Sequence, residues 1–141
     1  MSEYIRSAAV ILEATKPLED RAKILIDDFF DALRKVAKSH DYTEKRRWRD
    51  ENTKSQILAK CQYEKGPDPQ KGINHPYYVM VVASIGGPED PDWYGHKTCV
   101  SLSGAMPNEP LIRNLDLNKP EEDFNNFLKQ YGALRELKRT N

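Results

Sequence analysis

The chain has 141 residues, 38% hydrophobic and 31% charged, with 22 basic against 22 acidic side chains and a formal net charge of zero. That length suits one core that buries roughly two thirds of the unfolded surface, so a single α+β domain over 1–141 is expected. The charge balance excludes a global field toward nucleic acid or membrane and leaves such contacts to local patches.

Residues 1–17 hold only a short apolar run, broken by Arg6 and followed by Glu13. This is neither a secretory segment nor a membrane span, and the expectation is a cytoplasmic protein. Ile5, Ala8, Ala9 and Leu12 recur at helical spacing and predict a first helix over Tyr4 to Ala14. Thr15, then Pro17 with Glu19 and Asp20, start a second helix. Its stripe runs through Leu18, Ala22, Leu25, Ile26, Phe29, Leu33, Val36 and Ala37, with Lys23, Asp27, Arg34 and Lys38 facing away. Ile24 and Phe30 fall off that stripe and predict contact with a second surface, the first helix or a partner subunit.

Residues 39–54 are highly charged, lack an apolar period and read as a connector or an exposed strand extension. From Ser55 to Glu64, Ile57, Ala59, Cys61 and Tyr63 alternate with polar residues, which specifies a strand with one face on the core. The stretch from Pro76 to Gly104 organises the sheet. PYYVMVVASIGG is apolar enough for a central strand buried on both faces, and in HKTCVSLSG the residues His96, Thr98, Val100 and Leu102 alternate as a half-buried partner across a long hairpin. The proline-rich segment that follows predicts a loop crossing the sheet, anchored by Leu111, Ile112, Leu115 and Leu117. Asn118 is the expected cap of a last helix that opens with Pro120, buries Phe124, Phe127, Leu128, Tyr131 and Leu134, and weakens at Gly132. The expected architecture is α+β, an antiparallel sheet of three or more strands with helices packed on one face, in the order α-α-β-β-β-α.

Two surfaces combine aromatic rings with charge. Lys45, Arg46, Arg47, Trp48 and Arg49 form the densest basic cluster, a composition suited to phosphate and base stacking on a nucleotide or nucleic acid. Glu44, Asp50 and Glu51 flank it and dilute its charge. Asp90, Asp92, Trp93 and Tyr94, in the loop GGPEDPDWYG, are residue types found at protein interfaces. An acidic loop and a basic segment on one chain also suit self-association.

Catalytic readings are weaker. His96-Lys97-Thr98-Cys99 resembles one half of the signature of the 2H phosphoesterases, which would make His96 and Thr98 a phosphodiesterase pair. The second half is absent, because His40 precedes Asp41-Tyr42 and His75 precedes Pro76-Tyr77. The strand and helix order resembles the double-stranded-RNA-binding domain, whose last helix opens with lysines. Here that helix opens with Glu121, Glu122 and Asp123, which repel RNA. No metal-ligand spacing, serine elbow or phosphate-cradling glycine loop is present, so neither metal nor cofactor is expected. Cys61 and Cys99 read as reduced packing residues. The expectation is a small cytoplasmic non-catalytic binding or regulatory protein, homodimeric and acting on a protein partner. A nucleotide or nucleic-acid binder and a phosphodiesterase are the alternatives.

Overall fold

The computed structural model describes residues 24–50, 56–67, 70, 75–86 and 99–139. A π-helical turn, Ile24–Phe29, leads into α1 (Phe30–Ser39). The strands β1 (Thr43–Asp50), β2 (Gln56–Lys65), β3 (Tyr77–Gly86), β4 (Cys99–Gly104) and β5 (Leu111–Asn114) follow, and α2 (Pro120–Arg139) closes the chain. The strands form one antiparallel sheet in sequence order, with β3 at its centre. The α+β class and an antiparallel sheet of three or more strands therefore hold, but the order α-α-β-β-β-α does not, because five strands separate the described helices. The expected first helix and the opening of the second lie outside the described residues.

Alternation decides which face of the sheet is covered. Ala59, Cys61 and Tyr63 of β2, Tyr77, Val79, Val81 and Ala83 of β3, and Val100 and Leu102 of β4 are buried. They form one apolar cluster with Phe29, Phe30, Leu33 and Ala37 of the first helical segment and Phe124, Phe127, Leu128 and Tyr131 of α2. The intervening residues Tyr78, Met80, Val82 and Ser84 are only half-buried. This corrects the expectation that the central strand is buried on both faces. Both described helices pack on the inner face, and no described helix lies over the outer one.

Three further expectations are decided or corrected. Of the connector and the exposed strand extension expected over 39–54, the strand holds: residues 43–50 form an edge strand paired with β2, irregular between Glu44 and Arg46. Its inward positions are charged, so its burial has no apolar period. Residues 111–114 are the opposite edge strand, in which Ile112 points outward at 60% exposure instead of anchoring a loop. Phe30 is fully buried, although it falls off the α-helical stripe. The wider π-helical turn before it shifts the phase, so that the adjacent Phe29 and Phe30 both reach the core.

The helix ends explain themselves. At the C-terminus of α1, the Asp41 N–H donates to the Lys38 carbonyl and the Tyr42 N–H to the Ala37 carbonyl, the paired bonds of a Schellman motif. Asp41 takes φ 69° at the position that favours glycine, which costs about 1 kcal/mol. Tyr42 and Ala37 are both buried, as the hydrophobic contact of that motif requires. α2 opens with Pro120, whose missing N–H is no loss in a first turn, and with three acidic residues that suit the helix dipole. Asn118 is not seen capping it. Instead, the Asn118 N–H donates to Asp116 Oδ1 and the Asp123 N–H to the Lys119 carbonyl. Gly132 does not end α2, which continues to Arg139, while Leu134 is half-buried at its margin.

Candidate functional site

The basic segment of β1 is divided between the two faces of the sheet. Arg46 and Trp48 stand opposite Gln62 and Lys60 on the outer face, where the Arg46 guanidinium lies 4.2 Å from the Trp48 ring centroid and Lys60 Nζ lies 5.7 Å from it. Arg47 turns inward. It pairs with Asp31 at 2.9 Å and Glu44 at 2.6 Å, donates to the Ile26 carbonyl, and is only 18% exposed. Burial alone would weaken its charge, but hydrogen bonds to Glu44 and Asp31 hold the guanidinium more firmly protonated than usual. Lys45 and Arg49 are exposed. The five residues are therefore not one patch: Arg47 serves the fold, and Arg46 with Trp48 belongs to the outer face.

Asp90, Asp92, Trp93 and Tyr94, together with His96 and Thr98, lie outside the described residues.

Register assigns the rest of the outer face. One row runs Trp48, Lys60, Val82, Ser101, Asn114, and the next runs Arg46, Gln62, Met80, Ser103, Ile112. Along β3, Tyr78, Met80 and Val82 form an apolar ridge. Lys60, Gln62 and Glu64 of β2 flank it on one side, and Ser101 and Ser103 of β4 on the other. Tyr78 lies near Glu64 and Arg46, and partial burial together with the carboxylate of Glu64 raises its hydroxyl pKa.

The inner face carries a cleft that no sequence motif marked. It has a volume of about 530 Å³ and opens between the end of α1, the start of β3 and the middle of α2. His40, Asp41 and Lys65 line one wall, and Leu128, Lys129, Gly132 and Glu136 the other, with Tyr77 between them. His40 is placed by α2: its Nε2–H donates to Asn125 Oδ1 at 2.6 Å, which leaves Nδ1 an acceptor in the neutral ring. Lys65 Nζ lies 4.6 Å from the Tyr77 ring centroid and 5.1 Å from that of Tyr42. Arg135 closes the far side of Tyr77 at 4.4 Å and donates to the Tyr131 hydroxyl and to the His75 and Pro76 carbonyls. Tyr42 is 4% exposed and, among the described residues, its hydroxyl is buried without a hydrogen-bond partner. Burial, with Tyr131 and Tyr77 nearby, drives its pKa upward.

The sequence did carry a signal for the cleft. A glycine in the middle of an otherwise regular helix stands where alanine would be about 1 kcal/mol better, and a Cβ built at Gly132 would meet nothing within 4 Å. Read as a weakness of the helix, Gly132 instead marks open space beside it.

Among the described residues, no group of three or more His, Cys, Asp and Glu side chains could hold a metal ion, and no helix is long and apolar enough to cross a membrane. Compared with models of protein families, with curated proteins and with solved structures, the chain matches none.

Proposed function

We propose that this is a non-catalytic binding protein that acts through protein contact, and that the outer face of its sheet joins two copies into a homodimer. The observation that supports this reading is the ridge of Tyr78, Met80 and Val82, set on the face that no described helix covers and bordered by polar side chains. An apolar centre with a polar rim is the anatomy of a protein interface. The flank is also self-complementary. Lys60 and Glu64 lie on either side of Gln62 on one strand, so a two-fold axis near Met80 sets Lys60 of one copy against Glu64 of the other.

Sedimentation equilibrium tests the reading. The wild-type protein is expected to be dimeric, and Met80→Lys monomeric with an unchanged circular dichroism spectrum. A monomeric wild type, or a dimer that survives Met80→Lys, would rule out this face as the interface.

A second reading is favoured by the placement of Arg46, Trp48 and Lys60 together, which suits an anionic nucleotide or nucleic acid. Its mark is salt dependence. Arg46→Ala with Lys60→Ala should weaken binding of a single-stranded oligonucleotide and reduce its salt slope by about 1.4, whereas an unchanged slope excludes this reading.

A further inference from the structure

Two residues break the local preference of their positions, and both line the same cleft. Asp41 holds φ 69° where glycine is unstrained, and Gly132 interrupts a helix where alanine is better. Local stability alone would reverse both choices. Such departures concentrate where a chain serves function instead of folding. The residues actually present put a carboxylate on the cleft lining and leave a side chain out of its wall.

The charges around that space are arranged in opposed pairs. On α2, Lys129 and Glu136 are seven residues apart on one face, about 10 Å along the axis, with Gly132 and Ala133 between them on the cleft. Asp41 and Lys65 bring one further charge of each sign from the facing wall. Asp41, Lys129 and Glu136 have no ion-pair partner among the described residues. A purely anionic guest would face two carboxylates here, and a purely cationic one two ammonium groups. A guest carrying both signs satisfies both.

We propose that the cleft binds a small zwitterion of dipeptide size, its carboxylate toward Lys129 and its ammonium toward Glu136. A dipeptide spans about 7 Å, and with a charge-assisted contact of about 2.8 Å at each end the whole is about 13 Å long, on the scale of two long side chains set seven residues apart. The volume of about 530 Å³ lies within the usual range for small-molecule sites. Leu128 and Tyr77 offer an apolar wall to a side chain.

The probe is alanyl-leucine, titrated calorimetrically into the full chain beside its N-acetylated and C-amidated forms. The free dipeptide is expected to bind, and each blocked form to bind about tenfold more weakly or worse, the loss of one hydrogen bond to a charged group. Gly132→Leu fills the trough and should abolish binding while leaving the melting temperature unchanged or higher. Lys129→Ala, an exposed change that spares the core, should weaken the free dipeptide but not the amidated form. Met80→Lys, which breaks the proposed dimer on the opposite face, should leave binding intact. No heat with alanyl-leucine or a mixed dipeptide library, equal binding of the blocked forms, or full binding by Gly132→Leu would each overturn the proposal.

Discussion

Gly104 and Tyr131 show how little room the inner face leaves around one residue. A Cβ built at Gly104 would lie 2.5 Å from the Tyr131 ring, and that ring is fully buried. Its hydroxyl donates to the Ala105 carbonyl at 2.7 Å and accepts from the Tyr78 N–H at 3.1 Å, so it ties α2 to the ends of two strands. The ring cannot retreat without breaking those bonds. Gly104→Ala is therefore expected to destabilise the protein by about 3 kcal/mol in urea unfolding, through overpacking and not backbone strain. A loss below about 0.5 kcal/mol would mean that the ring moves freely. The contrast with Gly132, whose Cβ would meet open space, separates a glycine required by packing from one that leaves a cavity.

At the scale of elements, the two edge strands share one device. Arg47 of β1 points inward to Asp31 of α1, and Arg113 of β5 points inward to Asp123 of α2. Each guanidinium also faces a core ring, Phe30 at 5.8 Å and Phe127 at 5.4 Å. Inward charges discourage edge-to-edge pairing with another sheet, which favours the face over the edges as a route to self-association. Asp123 additionally accepts the Asp116 N–H, joining the turn after β5 to the first turn of α2. Burial would raise its pKa, but Arg113, the Asp116 N–H and Lys119 together hold its carboxyl below the usual value of 3.8. Because the folded pKa is depressed, this stabilisation is full above the unfolded value and is lost as pH falls through the folded one. Asp123→Asn should thus cost about 1–2 kcal/mol at neutral pH and much less in strong acid. Equal losses at both ends of a pH series of urea titrations would show that the charge is not what matters.

The same device explains what could be read from the sequence. β2 and β4 were legible because their inward residues are apolar and alternate with polar ones. β1 is readable only as one of two alternatives and β5 not at all, because Glu44, Arg47 and Arg113 occupy inward positions that a hydrophobic pattern assigns to solvent, while Ile112 occupies an outward one. Edge strands held by ion pairs carry no apolar period. Of the candidate site, only the composition around Trp48 was visible. The cleft joins His40, Lys65 and Glu136 across the fold, and its local marks, Asp41 and Gly132, take on meaning only once α1 and α2 stand side by side.

At the scale of the whole molecule, a single apolar cluster links both described helices to the three inner strands, and Cys61 sits within it, fully buried. Its thiol donates to Glu44 Oε1 at 3.0 Å, the same oxygen that Arg47 holds, so the core and the β1 clamp meet at this sulfur. Burial, reinforced by Glu44, pushes the thiol from 9.0 up to about 12. Near neutral pH this lowers the thiolate fraction on the order of a thousandfold, before any steric protection. Exposing Cys61 requires separating helix from sheet, and that dismantles the shared core. Alkylation of Cys61 is therefore expected to follow global unfolding, with a free energy and urea dependence equal to those from tryptophan fluorescence. Mass spectrometry of iodoacetamide-treated protein distinguishes Cys61 from Cys99, which lies half-buried on the other face. Cys61 labelling that outpaces fluorescence would mean that α1 or β1 opens on its own, and that the Arg47 clamp does not bind that edge to the rest of the core.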